Sequence, residues 1–339
     1  MLIVLVVIFS ILLIGALAVG IMIKSVLSDI KRVDETDAEG NVQHETYSRE
    51  QLIEESIDVT NTDPVVEEAE TITTGENIIN ILLVGQDRRE GQGRQRSDSM
   101  ILCTINKEKK TMTMTSFMRD LWVYIPGYFN ERLNVPYMLN GFPTLNETLN
   151  YNFGVSADKC FEIDFDGFMS AIDVVGGVEI ELTGAEARYL NRWGNWDVEA
   201  NQGWQLKEGV NLLNGSQALA YSRIREIGDD FERTERQRNV LMALFEKAKT
   251  LGPLDTYDLI AEIAPLLTTN LSDGEIMKLA FDIVPLISDL EVVSQRIPMD
   301  GQFQYYTTSG GAEVLRLTEA QLMENKKLLE GIMEAEETE

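Results

Sequence analysis

Four short stretches of this chain gather arginine and aspartate, and these residue types suit the binding and transfer of phosphate. They are Gly85-Gln86-Asp87-Arg88-Arg89, Arg96-Ser97-Asp98-Ser99, Ser116-Phe117-Met118-Arg119-Asp120, and a longer run from Arg223 to Gln237. The last contains Arg223, Arg225, Asp230, Arg233, Arg236 and Gln237. Every basic residue in the four is arginine, although the chain has twelve lysines elsewhere. Surface charge alone would mix the two, whereas a planar guanidinium grips two phosphate oxygens at once. Asp87 and Asp98 could share a Mg²⁺, which is commonly held by one or two carboxylates plus phosphate oxygens. Arginines around a metal-bound phosphate would stabilise charge on a phosphoryl group in transit.

The elements that must position these residues follow from the pattern. Ile78 to Gly85, Met100 to Ile105 and Thr111 to Phe117 read as strands, the last two joined by the polar turn Asn106 to Lys110. If those two form a hairpin and the first strand runs parallel to the third, Asp87, Asp98 and Arg119 meet at one sheet edge. Asn134 to Tyr151 reads as one helix, Cys160 to Phe165 as a strand, Phe168 to Val175 as a short helix and Val178 to Leu182 as a strand. Asn214 can cap a helix over Ser216 to Ala220. Were the chain extended from Ser222, Arg223 and Arg225 would point the same way.

Asp230 to Thr250 reads as a long helix. At 100° per residue, Asp230, Arg233 and Gln237 share a stripe with Leu241, Leu244 and Ala248. An apolar stripe faces the interior, so the polar trio should point inward too. Buried charge is costly unless paired or part of a site. A functional cleft and a buried structural ion network both fit at this point. A helix from Ser272 or Asp273 to about Leu290, a strand from Val292 to Ile297 and a helix from Thr318 to Met333 complete an α/β pattern.

The whole chain sets bounds. Its 339 residues allow one large domain or two small ones, and the net charge of −27 argues against nucleic-acid binding. The only histidine, His44, lies in an acidic N-terminal stretch. Histidine is therefore excluded as a base or ligand in the folded part, and any metal would be a hard cation held by oxygen. Cys103 and Cys160 sit in apolar or strand-like surroundings and read as buried thiols. There is no glycine-rich P-loop, no GxSxG and no zinc spacing. Trp193, Trp196 and Trp204 could stack on carbohydrate or pin a loop.

Residues 1–23 are apolar enough, and at 1.5 Å per residue long enough at roughly 35 Å, to span a bilayer as an uncleaved anchor. Residues 24–76 read as an acidic solvated spacer, with fourteen acidic and three basic residues between Asp29 and Glu70. Residues 77–250 form the candidate catalytic domain and 251–339 an extension packed on it. Lys24, Lys31 and Arg32 follow the apolar span and by themselves would put the domain in the cytoplasm.

Several of these segments together resemble the LytR-CpsA-Psr family of cell-wall phosphotransferases. They are Arg96-Ser97-Asp98-Ser99, Ser116 to Asp120, Leu213-Asn214-Gly215 with Ala218 to Arg225, and Asp230-Phe231-Glu232-Arg233 with Arg236-Gln237, all in a chain that begins with an anchor. The resemblance runs from about Asn77 to Lys249 and more weakly to the C-terminus. It implies a central mixed β-sheet flanked by helices, with an apolar groove for a polyprenyl chain and one transmembrane helix before it. The implied reaction moves a glycopolymer, such as teichoic acid or capsule, from an undecaprenyl pyrophosphate carrier to peptidoglycan, assisted by Mg²⁺ or Mn²⁺. The implied partners are this lipid-linked polymer, peptidoglycan and the membrane, with the domain outside the cell.

For this chain the resemblance implies Asp87 and Asp98 as metal ligands and Arg119, Arg223, Arg225, Asp230 and Arg233 as catalytic residues. Arg88, Arg96, Arg132, Arg236 and Gln237 would bind substrate. Arg132 stands where many members have lysine, and the Gly85 to Arg88 loop lacks the more usual serine. The same arginines would also serve a module that only binds polyprenyl phosphates, or a pyrophosphatase that uses water as acceptor.

Overall fold

The computed structural model describes residues 27–32, 49–54, 57, 59–86, 94–157, 159–192, 203–250 and 262–333. The segment 1–23 read as an anchor, the loop with Asp87 and Arg88, and Trp193 and Trp196 lie outside the described residues. Among those described, no helix is long and apolar enough to cross a membrane.

The strands are β1 (Lys31–Arg32), β2 (Ile78–Gln86), β3 (Ser97–Asn106), β4 (Thr111–Phe117), β5 (Trp122–Tyr124), β6 (Asn130–Arg132), β7 (Lys159–Asp164), β8 (Val178–Leu182), β9 (Gly209–Leu213), β10 (Thr268–Thr269), β11 (Glu291–Ile297), β12 (Gln304–Thr307) and β13 (Glu313–Arg316). The helices are α1 (Arg49–Glu54), α2 (Val135–Asn140), α3 (Phe142–Phe153), α4 (Phe165–Val174), α5 (Gly184–Arg192), α6 (Gly215–Ser222), α7 (Asp230–Lys249), α8 (Asp273–Ile283) and α9 (Glu319–Met333).

Seven strands form a mixed sheet in the order β1-β10-β7-β2-β3-β4-β11. β2 pairs antiparallel with β3, and β3 with β4, so β2 and β4 run the same way. β7 joins β2 in parallel, and β11 joins β4 in parallel. The carboxyl ends of β2, β4, β7 and β11 therefore share one edge with the start of β3. Loops leaving such an edge are where ligands bind in α/β sheets.

Alternation along the strands gives the sheet two apolar faces. Leu82, Val84, Met100 and Leu102 pack on α3 and α9, through Leu145, Leu149 and Leu329. Ile81, Ile101, Cys103 and Met114 face the other way, toward Leu241, Phe245 and Leu279 of α7 and α8. Both cysteines are buried and neither is in a disulfide; burial pushes the Cys103 thiol up to about 12.

Three expectations are corrected. The helix expected over Asn134 to Tyr151 is two helices, because Gly141 breaks it at a positive φ of 72°. The helix expected from Phe168 starts at Phe165, capped by Asp164, whose side chain accepts from the Gly167 amide. The stretch read as a solvated spacer is partly packed on the domain. The Ala69 amide donates to Tyr151 O at 2.8 Å, Ile72 to Gly154 O at 2.7 Å, and β1 pairs with β10. Charge density masked Val66, Ala69 and Ile72, which touch or approach the core. The C-terminal segment supplies β10 and β11 to the sheet itself.

Candidate active site

Arg119 is the centre of the site. It follows β4 directly, and backbone bonds fix that turn: Met118 N donates to Ile297 O at 2.8 Å and Asn134 N to Arg119 O at 3.2 Å. Its guanidinium bonds Asp98 at 2.8 Å and lies 3.6 Å from Asp120 and 3.7 Å from Asp230. Asp98 lies near the start of β3, so the hairpin brings these two together as the strand pattern predicts. Asp120 also lies 3.8 Å from Arg132. On the other side Asp230 holds Arg233 at 2.7 Å.

The N-terminus of α7 positions Asp230 and Arg233. Asp229 caps it, accepting from the Phe231 and Glu232 amides, and Glu232 returns the bond in a capping box. The stripe read from the sequence faces the interior: Arg233 is only 2% exposed, and Gln237, Leu241 and Leu244 line a cavity.

That cavity, about 220 Å³, lies between the sheet and α4, α6 and α7. Leu83, Ile101 and Phe161 form its floor, with Phe168, Leu219, Leu241 and Leu244 opposite. Polar lining comes from Asp98, Ser99, Asp164, Ser222 and Gln237. Gly215 lets α6 approach α4 closely, since a Cβ there would fall 2.1 Å from Met169 O.

The charges are balanced unevenly. Burial draws the Arg119 guanidinium down, but Asp230, Asp120 and Asp98 outweigh it and leave its pKa raised. Burial raises the Asp230 carboxyl, only partly opposed by Arg233 and Arg119 and reinforced by Asp120. Burial lowers Arg233 to about 10, with Arg119 and Arg225 acting in the same direction against Asp230. It still carries its charge at neutral pH. Nε of Arg119, Arg132 and Arg233 and Oε1 of Gln237 are buried without a hydrogen-bond partner. Buried polar groups are normally satisfied, so these four atoms are open to a polar ligand or to water.

Other predicted residues divide. Arg225 is exposed, near enough for its charge to act on both Asp230 and Arg233. Arg96 is half-buried just before β3. Arg223 and Arg225 do not share an extended segment, because Arg223 ends α6 with φ −105° and ψ 1°. Its guanidinium instead lies 4.4 Å from the Phe165 ring centre. Arg236, expected to bind substrate, points elsewhere. It pairs with buried Glu186 at 2.7 Å and donates to the carbonyls of Ile224 and Ile227. Asp120, part of the third stretch but not among the site residues the resemblance implies, also belongs to the cluster. Its signal was adjacency to Arg119.

A family model, the LytR_cpsA_psr family, matches residues 36–330. This chain belongs to that family. The polyisoprenyl-teichoic acid–peptidoglycan teichoic acid transferase TagT of Bacillus subtilis is 28% identical over 261 residues, covering 76% of this chain and 77% of TagT. The regulatory protein MsrR of Staphylococcus aureus is 30% identical over 248 residues, 70% of each chain. A solved structure of TagT bound to LIIa-WTA aligns with a TM-score of 0.62 at 26% identity, covering 79% of this chain and 97% of that one. The mixed sheet flanked by helices is thus the family's fold.

Proposed function

We propose that this LytR_cpsA_psr member is a membrane-anchored phosphotransferase that moves a glycopolymer from an undecaprenyl pyrophosphate carrier to peptidoglycan, outside the cell. One observation carries the reading: Asp98, which lines the apolar cavity, is bonded to Arg119 in a cluster where Arg119, Arg132 and Arg233 each keep a buried Nε without a hydrogen-bond partner. A polyprenyl pyrophosphate has the same two parts, a greasy tail and a polyanionic head. TagT, by its name, transfers teichoic acid from a polyisoprenyl carrier to peptidoglycan.

In this reading Leu83, Ile101, Phe168, Leu241 and Leu244 hold the tail out of water. Arg119 and Arg233 face the pyrophosphate, with Arg223 and Arg225 at the rim. An acceptor hydroxyl attacks the phosphorus that bears the polymer. The bond from that phosphorus to the bridging oxygen breaks, and the lipid phosphate leaves. Asp230, with its raised pKa, takes the hydroxyl proton. The arginines neutralise the charge that builds on the oxygens in flight.

The residues also fit a hard cation. Asp98 offers carboxylate oxygen and Gln237 a buried amide oxygen without a partner, an all-oxygen set suited to Mg²⁺ or Mn²⁺. Asp87 lies outside the described residues, and among those described no three acidic, histidine or cysteine side chains cluster for a metal. When bound, the cation would offset negative charge on the pyrophosphate.

The test is a transfer assay on the full chain in nanodiscs with lipid-linked polymer and peptidoglycan strands. Polymer joined to glycan through a phosphodiester is the expected product. Free polymer with a terminal phosphate would make the protein a hydrolase, and unchanged lipid-linked polymer that stays bound would make it a binding module.

A further inference from the structure

Phe231, Phe303 and Tyr305 form a file of rings that begins at the charged cluster and ends in solvent. Phe231 follows Asp230 directly in α7. Its ring centre lies 5.0 Å from that of Phe303, which lies 5.5 Å from that of Tyr305. Arg296 of β11 covers Phe231 at 4.5 Å, and Tyr305 is 74% exposed. The file is held in place. Tyr305 pairs with Leu315 across the β12–β13 hairpin, and the Leu315 amide donates to Asp120 O at 2.8 Å. The hairpin is therefore tied to the segment that carries Arg119.

The rings lie across the sheet edge from the cavity. Phe231 and Phe303 pack against the core cluster that holds Leu82, Val84 and Met100, whereas the cavity is lined mainly from the opposite face, by Leu83, Ile101 and Phe161, and also touches Val84. The charged cluster stands between. In phosphoryl transfer the attacking and leaving oxygens are roughly in line through phosphorus. With the departing lipid over the cavity, the attacking hydroxyl comes from the side of Phe231. A pyranose ring can lay its C–H face on the negative face of an aromatic ring while its hydroxyls stay in water.

We infer that Phe231, Phe303 and Tyr305 form the acceptor subsite, a platform for a saccharide ring of the acceptor glycan beside Asp230. This rests on the proposed transfer reaction and adds the surface that receives its second substrate.

The test titrates two probes into the full chain in detergent: a peptide-free N-acetylglucosamine–N-acetylmuramic acid oligomer, and polyprenyl pyrophosphate. Tyr305→Ala, at an exposed position, should weaken oligomer binding about tenfold, the loss of one stacking contact. Tyr305→Trp should keep it, and lipid affinity should not change in either variant. Equal oligomer binding by wild type and Tyr305→Ala, or a loss confined to lipid binding, would overturn the acceptor subsite. A wild-type protein that binds lipid but no oligomer would overturn it as well. A wild type that binds neither would remove the transfer reading itself, a distinguishable result that takes the platform with it.

Discussion

Arg233 and Arg236 sit one turn apart on α7, both buried, each facing a carboxylate, and they have opposite surroundings. Arg236 is fully occupied: Glu186 at 2.7 Å, the carbonyls of Ile224 and Ile227, and Glu232 at 3.9 Å. Arg233 has Asp230, and its Nε has no hydrogen-bond partner. Their carboxylates diverge in the same way. Burial pushes Glu186 up, but bonds from Arg236 and from the Thr183 amide and hydroxyl outweigh it and leave its pKa lowered. Asp230 stays raised. A closed network of charge and hydrogen bonds holds structure together, while an open one is available to a ligand.

The sharpest way to break this contrast is to truncate both arginines. Arg233→Ala should slow transfer on the order of 10³-fold, the scale of losing a charge-stabilising donor, with little change in melting temperature. Arg236→Ala should cost about 3–5 kcal/mol of stability by stranding Glu186 in the interior, with transfer per folded molecule intact. Transfer kinetics beside denaturant unfolding read both. If the two variants swapped phenotypes, the assignment of site and scaffold would be reversed.

A pH series sharpens the comparison by smaller steps. Asp230 must be ionised to accept a proton, so transfer should fall as pH drops through a value above the ordinary aspartate 3.8. Glu186 has a lowered folded pKa, so its contribution to stability is present above the ordinary 4.5 and lost as pH falls through that lower value. On acidification, activity should therefore go before this part of the fold does. The Asp230 shift acts oppositely on stability, contributing fully in acid and losing that contribution as pH rises through its raised pKa. Asp230→Asn should remove the acid limb of the rate profile along with most of the rate.

Much of this was legible in the sequence, for identifiable reasons. Two strand-like runs joined by a short polar turn marked β3 and β4, and that hairpin brings Asp98 toward Arg119. Helical period aligned Asp230, Arg233 and Gln237 with the leucines that line the cavity. The separation of Arg233 from Arg236 was not legible. The two differ by three residues and lie on one broad helix face, and the difference comes from Glu186, a partner fifty positions away on α5. The β12–β13 hairpin was missed because its strands are four residues each and mostly exposed, and its two buried residues, Val314 and Leu315, are adjacent and give no alternating stripe. The packed part of residues 24–76 was missed because its acidic composition outweighed a few apolar residues.

The central claim is that the cavity and the open arginine cluster hold one lipid pyrophosphate, and mass spectrometry of lipid co-purifying with the full chain tests it most directly. A polyprenyl phosphate or pyrophosphate should accompany the wild type, and a bulky Leu241→Trp replacement in the cavity lining should deplete it. A wild-type protein that carries no such lipid and fails to take up added polyprenyl pyrophosphate would contradict the account.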